Sequence, residues 1–489
     1  MNGLLPGDSS RLLIDGKLVT GGNGVFDTVN PATEEVLGTA ADADADDMDA
    51  AISAARTAFD KTDWSRDHAF RVHCLDQLRT ALQSQVEQLR EITVAEAGSP
   101  VMFTSGPHLE GPIADLEFAT RLAETYEWET ELGEAAPMGI RTRRVVRREA
   151  IGVVGAITPW NFPHQINFAK IGPALAAGNT VVLKPAPDTP WCAAAVGAII
   201  AEQTDIPPGV INIVTSSDHS LGGQLTGDPR VDMVSFTGST ATGRAVMANA
   251  ATTVKKTFLE LGGKSAAIVL DDIDLGKAVG FTAFSLCVHA GQGCALSTRL
   301  LVPRASYEQA VEIAAATMGG LAPGDPTDPG TVCGPLISGR QRARVLRYID
   351  IARSEGGRIA VGGGRPADRE RGFFVEPTVI ADLDNGSKAA QEEIFGPVLV
   401  VLPYDSDDDA IRIANDSPYG LSGSVWGTDP ARIDYVTGRV RTGTLGVNGG
   451  MWYSADAPFG GYKQSGIGRE MGVAGFEEYL ETKLVATAR

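Results

Sequence analysis

The chain has 489 residues, of which 43% are hydrophobic and 21% are charged, a composition typical of folded globular proteins. This length corresponds to about three domains of ~150 residues each. The net charge of −19 disfavours binding to nucleic acid or to an anionic membrane surface. There is no run of about 18 apolar residues, and Met1–Asp8 does not begin a positively charged leader, so the sequence predicts a cytoplasmic protein.

The cysteines are an odd set without a Cys-x-x-Cys pair, which fits neither a disulfide framework nor a zinc site. They are Cys74, Cys192, Cys287, Cys294 and Cys333. His68, His73 and Cys74 are close in sequence, but they occur among apolar residues at helical spacing, which favours a packed helix over a metal site. We therefore expect reduced thiols and no bound metal.

The first predicted elements are a hairpin and two helices. Leu12–Val19 has an Asp-Gly pair between two apolar runs, which suits a type I′ turn. The acidic stretch Asp42–Asp49 leads into apolar residues at helical spacing, and its charge favours a helix N-terminus. The second helix is predicted over Arg66–Ala97, because a Gly-Ser-Pro sequence follows it.

From Ile151 onward, short β-rich runs alternate with helical stretches, the pattern of a parallel sheet with crossover helices. The predicted strands are Ile151–Ile157, Thr180–Leu183, Val210–Val214 and Val231–Phe236. Ligands bind beyond the carboxyl ends of such strands, and two polar segments, at Thr158 and Thr237–Ser239, begin there. A second α/β segment, from about Gly263 to Gly460, predicts another domain, with the functional site in the cleft between the two.

Four short motifs combine residue types suited to thiol chemistry. They are Thr158–Pro163 (Thr-Pro-Trp-Asn-Phe-Pro), Leu259–Lys264 (Leu-Glu-Leu-Gly-Gly-Lys), Gly291–Cys294 (Gly-Gln-Gly-Cys) and Glu393–Pro397 (Glu-Ile-Phe-Gly-Pro). With all four in this order, nearly the whole chain resembles the NAD(P)-dependent aldehyde dehydrogenase superfamily, of the hydrolytic, non-acylating type. The resemblance implies an oxyanion donor, a general base, a nucleophile and a cofactor anchor, one in each motif.

The resemblance also implies the fold and its division. We expect an α/β protein with a Rossmann-type parallel-sheet domain for the dinucleotide (1–127 and 149–262), an α/β catalytic domain (263–460) and a small β oligomerisation element (128–148 and 461–489). Arg141–Arg148 carries five arginines. In a chain of this net charge, we expect this basic strand to meet acidic surface elsewhere in a homodimer or homotetramer rather than nucleic acid.

Cys294 is the proposed nucleophile, because the resemblance implies that its thiolate adds to an aldehyde and forms a thiohemiacetal able to donate hydride. Free cysteine titrates near pH ~8.5, so little thiolate exists at neutral pH unless the site lowers that pKa or a base assists. Gly291 and Gly293 favour close approach of the backbone to a ligand. Cys287 is the rival candidate, but its apolar neighbours indicate the core, where most free cysteines lie.

Asn161, by the same resemblance, donates its side-chain NH2 beside the Cys294 backbone N–H to the oxygen that becomes negative. Such a donor is typically worth about 3–4 kcal/mol in the transition state. On the local pattern alone, Asn161 is a turn asparagine between two prolines.

Glu260 is assigned as the base that activates water for hydrolysis of a thioester, with a pKa raised by burial. The alternative is a surface glutamate at the end of a strand. Relatives that transfer the acyl group to coenzyme A commonly lack this acid. Its presence therefore favours a free carboxylic acid as the product.

The resemblance implies NAD as the cofactor, with NADP as the open alternative. Lys184 follows a buried type of strand and would bind the adenosine ribose. The family often has Glu at the position of Pro187, where it repels the 2′-phosphate of NADP, so its absence leaves the choice open. We favour NAD, because no extra basic residue occurs in this loop.

Gly238–Gly243 follows a strand and opens a helix, as a phosphate-binding loop does, although it lacks the Gly-x-Gly-x-x-Gly fingerprint. By resemblance, Ser239 contacts the pyrophosphate, while Glu393 and Phe395 hold the nicotinamide ribose and ring. The complete predicted cofactor set is Ile157, Trp160, Lys184, Gly238, Ser239, Thr242, Leu261, Glu393 and Phe395.

The positions that line the substrate tunnel in the family are largely apolar here. They are Phe162, Ile166, Ala169, Met451, Trp452, Tyr453 and Phe459. Ala169 stands where relatives often carry a bulky aromatic residue, so we expect a wide tunnel and a hydrophobic aldehyde substrate, aromatic, terpenoid-like or aliphatic. His289 replaces an asparagine that is common in the family, and we interpret it as a packing substitution without a catalytic role.

Three classes of function fit these residues. The first is hydrolytic oxidation of an aldehyde. The second is acyl transfer to coenzyme A or a non-redox hydrolase that uses the cysteine, and the third is a catalytically silent binding protein. The presence of Cys294, Glu260 and Asn161 together favours the first.

Overall fold

A computed structural model describes residues 11–489 and contains four β-sheets in that range. The segment Met1–Asp8, for which the sequence predicts no leader, lies outside it. The strands are β1 (Leu12–Ile14), β2 (Lys17–Val19), β3 (Val25–Val29), β4 (Val36–Ala41), β5 (Glu129–Ala135), β6 (Thr142–Ala150), β7 (Val153–Ile157), β8 (Thr180–Lys184), β9 (Ile211–Ile213), β10 (Met233–Thr237), β11 (Lys256–Glu260), β12 (Ser265–Val269), β13 (Ser297–Pro303), β14 (Arg358–Val361), β15 (Thr378–Ala381), β16 (Val398–Tyr404), β17 (Gly423–Trp426), β18 (Gly446–Val447), β19 (Gly466–Ile467) and β20 (Leu480–Ala488).

Fifteen α-helices connect and cover these strands within the described range. They are α1 (Ala45–Lys61), α2 (His68–Ser84), α3 (Val86–Ala97), α4 (Glu110–Thr125), α5 (Pro163–Ala176), α6 (Pro190–Gln203), α7 (Ser220–Gly227), α8 (Thr240–Ala250), α9 (Leu275–Cys287), α10 (Tyr307–Gly319), α11 (Gly339–Ser354), α12 (Lys388–Gln391), α13 (Asp407–Asn415), α14 (Pro430–Thr437) and α15 (Gly472–Glu477). None of the helices in residues 11–489 combines the length and apolar character needed to cross a bilayer.

The largest sheet has eight strands in the order β19-β11-β10-β7-β8-β9-β1-β2. Strands β7 to β11 within it are parallel to one another, which confirms the parallel sheet predicted from the apolar runs. Apolar clusters cover both of its faces, as continuous hydrophobic strands require. The carboxyl ends of β7, β8, β10 and β11 therefore open on one edge of this sheet.

A seven-stranded sheet, in the order β14-β15-β16-β13-β12-β17-β18, forms the second α/β unit around its own core. The chain passes from one large sheet to the other through Leu261–Lys264, because β11 belongs to the first and β12 to the second. The α/β class expected from the sequence is confirmed, and this crossing places the Leu259–Lys264 motif between the two units.

The third sheet has three strands, in the order β20-β6-β5. The segment 461–489, expected as an oligomerisation tail, divides between two sheets, since β19 pairs with β11 while β20 pairs with β6. Two arginines of the basic strand have acidic partners within the chain, and its contacts in an oligomer stay a prediction. Arg147 pairs with Glu129 at 2.7 Å, and Arg143 pairs with Glu131, because the antiparallel register brings β5 beside β6.

The N-terminal predictions fare differently. The hairpin is confirmed, with Asp15 and Gly16 both at positive φ as a type I′ turn requires. The acidic stretch begins α1 as expected, because Asp44 and Asp47 form a reciprocal capping box. The single helix predicted over Arg66–Ala97 is wrong. It is two helices, α2 and α3, separated at Gln85, whose φ of −107° and ψ of 13° leave the helical region.

Candidate active site

The loop that carries Cys294 is held by the side chain of Gln292, which is fully buried. Its amide nitrogen donates to the His289 carbonyl at 3.1 Å and to the Pro335 carbonyl at 3.2 Å, and its oxygen accepts from the Ile337 N–H at 2.9 Å. Three backbone contacts on two segments fix the loop. The sequence offered Gln292 only as part of a motif, without this clamping role.

The backbone just before that clamp is left-handed. His289, Ala290 and Gly291 have φ angles of 49°, 53° and 71°, a conformation that costs a non-glycine residue about 1–3 kcal/mol. The His289 ring is buried, in T-shaped contact with His108 at 4.7 Å and with Phe162 at 5.7 Å. Burial lowers the pKa of His289 to about 4, so its ring is neutral, which agrees with a packing role.

Asn161 follows β7 and reaches the same loop. It is 3% exposed, and its side-chain nitrogen donates to the Gln292 carbonyl at 2.8 Å. The Asn161 side chain therefore contacts the loop of Cys294 as predicted, at Gln292, two residues before the cysteine. An amide NH2 has two N–H donors, so the second remains for an oxygen bound near the thiol.

Cys294 is the one partly exposed cysteine among residues 11–489, whereas the other four are buried. Burial of the thiol raises its pKa above the ordinary value, and the charges of Glu260, Glu393 and Glu470 raise it further. The site therefore does not lower the thiol pKa. Of the two routes to thiolate that the sequence left open, this environment favours assistance by a base.

Glu260 lies at the carboxyl end of β11 and is 2% exposed. Neither of its carboxylate oxygens has a hydrogen-bond partner. Burial raises its pKa well above the ordinary value, and the charge of Glu470 adds to this, while Lys170 and Arg469 oppose it. A buried carboxyl without donors holds its proton to higher pH, which suits a group that exchanges protons near neutrality.

A buried ion pair adjoins Glu260. Lys170, fully buried on α5, contacts Glu470 at 3.2 Å and donates to the Ser235 hydroxyl at 3.1 Å. Its ammonium also lies 4.9 Å from the centre of the Phe258 ring. The sequence motifs missed this pair, although a lysine in the mostly apolar helix α5 was a usable signal.

Glu393 is bound where Glu260 is not. One of its carboxylate oxygens accepts from the Gly263 N–H at 2.9 Å, and its carbonyl accepts from the Arg344 guanidinium at 2.5 Å. A Cβ at Gly262 would lie 2.5 Å from the other oxygen, so only glycine permits this approach. Burial raises the pKa of Glu393 to about 7, against the opposing effects of the Gly263 hydrogen bond, Arg344 and Lys264.

A cleft of about 1130 Å³ opens at the carboxyl edge of the large sheet. Six of the nine predicted cofactor residues line it, namely Ile157, Trp160, Lys184, Gly238, Ser239 and Thr242. The other three do not line it, although the Phe395 ring contacts a residue that does. Leu261 packs against Gly243, Glu393 reaches Gly263, and the Phe395 ring meets Trp160 at 5.4 Å.

The floor of this cleft suits a dinucleotide phosphate. Ser239 caps α8, its hydroxyl accepting from the Thr242 N–H at 3.2 Å, and the start of this helix lines the cleft, the position at which helices bind phosphate. Lys184 is 3% exposed at the end of β8, and burial lowers its pKa to about 8, against the nearby charges of Asp218 and Asp42.

Basic residues on α11 also line the cleft. The sequence of the loop after Lys184 could not show this, because α11 is distant in sequence. Arg340, Arg344 and Arg347 lie at helical spacing along the cleft wall. Beside Pro187, Asp188 faces the same cleft, and burial raises its pKa while Arg340 and His219 oppose that rise. An acid is therefore present one residue beyond the position where the family often has Glu.

The predicted substrate residues divide into two groups. Ala169 and Tyr453 line a narrow cavity of about 30 Å³, whereas Phe162, Ile166 and Phe459 do not. Phe459 instead stacks on Trp452 at 5.5 Å and contacts Tyr453 at 5.7 Å, and Phe162 packs on His108 at 4.4 Å. Met451 is 83% exposed and lines no part of that cavity.

No group of three metal-binding side chains is arranged around a common point in residues 11–489. The constellation is instead a partly exposed thiol, a clamped loop, an unpartnered carboxyl and a dinucleotide-sized cleft. An arrangement of this kind is suited to forming a covalent adduct on the thiol beside a bound nucleotide.

Known proteins similar to this chain are aldehyde dehydrogenases, which agrees with this arrangement. The family model described as "Aldehyde dehydrogenase family" matches residues 19–485. Geranial dehydrogenase of Castellaniella defragrans is 41% identical over 94% of this chain and 94% of its own length. The 3-succinoylsemialdehyde-pyridine dehydrogenase of a Pseudomonas species is 41% identical over 98% of each chain.

Solved structures show the same similarity. A mutant of aldehyde dehydrogenase C from Pseudomonas syringae, in complex with NAD+ and octanal, superposes with a TM-score of 0.93 at 38% identity and covers 98% of this chain and 97% of its own. An aldehyde dehydrogenase from Mycobacterium tuberculosis with NAD+ gives 0.92 at 42% identity, over 97% of each chain.

Proposed function

The chain belongs to the aldehyde dehydrogenase family, and we propose that it oxidises a hydrophobic aldehyde to the carboxylic acid with NAD through a covalent adduct on Cys294. The observation that carries this proposal is a partly exposed thiol and the unpartnered carboxyl of Glu260 on two segments in contact, since a Cβ at Gly263 would clash with the Cys294 carbonyl oxygen. Bound NAD would supply the hydride acceptor.

The proposed role of each residue follows from its setting. Glu260 accepts the thiol proton or, later, a proton from water, because its carboxyl has no competing donor. Cys294 carries the substrate first as a thiohemiacetal and, after oxidation, as a thioester that water cleaves to the acid. Asn161 keeps one N–H on Gln292 and offers the other, with the Cys294 backbone N–H, to the substrate oxygen.

NAD is the proposed cofactor, and the cleft supports it. The start of α8 would receive the pyrophosphate, Lys184 the adenosine ribose and Glu393 the nicotinamide ribose. Asp188 is the acid in this cleft nearest in sequence to Pro187, and a carboxylate there would disfavour the 2′-phosphate of NADP. The two solved relatives described above contain NAD+.

A hydrophobic substrate is supported by the aromatic group Trp452, Tyr453 and Phe459 and by the small Ala169. Geranial and octanal, named for two of the relatives, are aldehydes of this kind. Preference for succinic semialdehyde or betaine aldehyde would contradict this part of the proposal.

We also propose that the three-stranded sheet joins copies of the chain into a homodimer or homotetramer in the cytoplasm. Support comes from apolar side chains exposed on and beside this sheet, including Leu132 at 47%, Leu484 at 58% and Ile140 at 56%, which a monomer seldom leaves in a group. Light scattering on Leu484→Glu would show a smaller mass than the wild type if this sheet is the interface.

The decisive experiment is absorbance of reduced nicotinamide with NAD or NADP and a panel of aldehydes, for wild type and Cys294→Ala, with and without coenzyme A. Reduction that is independent of coenzyme A and lost in Cys294→Ala is the expected result. Activity that persists in Cys294→Ala would show that Cys294 is not the nucleophile. No reduction with any aldehyde would leave a hydrolase or a silent protein as the better description.

A further inference from the structure

One charged side chain interrupts an otherwise apolar helix face beside the substrate residues. Along α4, Pro112, Leu116, Ala119 and Leu122 line the narrow cavity at helical spacing. Asp115 lies in the same stripe and lines the same cavity. A carboxylate in a core-facing stripe is costly to bury without a partner, so its position calls for an explanation.

Asp115 is half-buried, and its carboxylate makes no ion pair or hydrogen bond with any group in residues 11–489. Other carboxylates of the same helix are paired on the outside. Glu110 contacts Arg90 at 2.5 Å, and Glu117 contacts Arg121 at 3.6 Å. Burial raises the pKa of Asp115 to about 6, and no neighbouring charge contributes to that shift. Its acceptor capacity is therefore free.

The cavity in front of Asp115 is also lined by two residues that the sequence predicts to bind substrate. Helix α5 forms its opposite wall with Gln165 and Ala169, and Tyr453 closes it. Burial raises the pKa of the Tyr453 hydroxyl, and the charges of Asp115 and Cys294 add to this rise. Ala169 and Tyr453 are both predicted substrate residues, so this cavity belongs to the proposed substrate site.

We propose that Asp115, with Gln165 and Tyr453, binds a small hydrogen-bond donor, a hydroxyl or a protonated amine, at the far end of the aldehyde substrate. This inference rests on the proposed function and specifies its substrate: an aldehyde with an apolar body and a polar tail. The apolar residues beside Asp115 contact the end of the body next to the tail, and the carboxylate accepts from the tail.

The size of the cavity limits that tail. Its volume of about 30 Å³ corresponds to about two water-sized groups at ~10–15 Å³ each. A hydroxyl or a primary ammonium fits this space, whereas a trimethylammonium group or a second ring does not. Ala169 contributes to the space, since a bulky aromatic residue there would fill the cavity between α4 and α5.

The experiment compares unbranched aldehydes of increasing chain length that end in a methyl, a hydroxyl or an ammonium group, with NAD as the acceptor. For the wild type we expect kcat/KM to be about 10- to 100-fold higher for a donor-ended aldehyde than for its methyl-ended match, because hydrogen bonds to a charged group are strong. Asp115→Leu should remove that preference while oxidation of octanal persists.

Two further variants sharpen the result. Asp115→Asn keeps an acceptor but loses the charge, so preference for a hydroxyl end survives in it and preference for an ammonium end disappears. Glu117→Gln, an exposed carboxylate on the same helix, is the matched control and should leave every ratio unchanged. Equal ratios in the wild type and Asp115→Leu would overturn the inference with the proposed function intact. Absence of NAD reduction with every aldehyde would instead refute the proposed function.

Discussion

Glu260 and Glu393 both act on the Cys294 thiol through their charge, yet the protein holds the two carboxyl groups in opposite ways. Glu260 has no hydrogen-bond donor on either oxygen. Glu393 accepts from the Gly263 N–H, and Arg344 holds its backbone. The difference supports the two separate roles proposed for these carboxyl groups. A carboxyl without donors is free to take up and release a proton, whereas a carboxyl with a fixed donor keeps one orientation toward a ligand.

The same contrast extends to the surroundings. Around Glu260, burial and then the charges of Glu470 and Lys170 set the pKa of its carboxyl. Around Glu393, two glycines and an arginine set its position. Substitution of the first carboxyl should therefore change a rate, and substitution of the second should change an affinity.

The largest expected effect is that of Glu260→Gln. Glutamine keeps the shape but cannot accept a proton, so steady-state NADH formation should fall by about 10²- to 10⁴-fold. Rapid-mixing absorbance separates the steps, since a retained first turnover would restrict Glu260 to hydrolysis and a lost one would add thiol activation. Steady-state turnover within about threefold of the wild type would remove Glu260 from the mechanism.

Glu393→Gln should mainly weaken cofactor binding. The loss of one charged acceptor predicts a rise of about 10-fold in KM for NAD, with kcat changed much less. Titration of NAD by fluorescence measures the same change without turnover. A fall in kcat at unchanged KM would mean that the two glutamates do not differ as the structure indicates.

The pH dependence of NAD binding tests the role of Glu393 in the unmodified protein. Burial raises the pKa of Glu393 to about 7, so its carboxyl is protonated below that pH and ionised above it. Affinity for NAD should therefore strengthen as pH rises through about 7, because the ionised group is the better acceptor for ribose hydroxyls. Glu393→Gln should lose this pH dependence. A wild-type affinity that weakens over this range would contradict the assigned role.

The sequence foresaw the parts of the fold that depend on local pattern. Buried strands such as Thr180–Lys184 are continuous apolar runs, and the Asp-Gly turn at residue 15 requires positive φ, which short-range composition reveals. The break at Gln85 has neither glycine nor proline to mark it. Tertiary packing decides it, and no local signal was available.

The site follows the same rule. Cys294, Glu260 and Asn161 stand in motifs, and the structure brings their segments together across the two large sheets. The Lys170–Glu470 pair joins residues 300 positions apart, and Asp115 on α4 lines one cavity with Tyr453, which lies in the segment after β18. The roles of such residues depend on contacts with residues distant in sequence, and a sequence motif does not show those contacts.

A smaller effect is expected from changing the charges around Glu260. Glu470 raises the pKa of Glu260 and Lys170 lowers it. Glu470→Gln should therefore lower that pKa and move the acidic limb of the kcat–pH profile to lower pH by about one unit or less. Lys170→Met should move the limb the opposite way. Shifts in the same direction for both variants would show that lost packing, rather than charge, controls the profile.

The smallest expected effect is that of substituting His289. Two variants at this position test whether it requires a left-handed backbone or an imidazole ring. The φ of 49° at His289 suits asparagine, which tolerates left-handed backbone better than most residues. His289→Asn should therefore keep kcat/KM within about threefold and leave thermal stability nearly unchanged.

His289→Val is the informative partner variant. A β-branched residue is strained in this conformation, which predicts a loss of about 1–3 kcal/mol in the free energy of unfolding. Because the strain lies in the loop that leads to Cys294, kcat should fall more than KM rises. Thermal melts and steady-state kinetics on both variants check this order. A large loss of activity in a stable His289→Asn protein would give the imidazole a chemical role that its neutral, ring-packed setting does not predict.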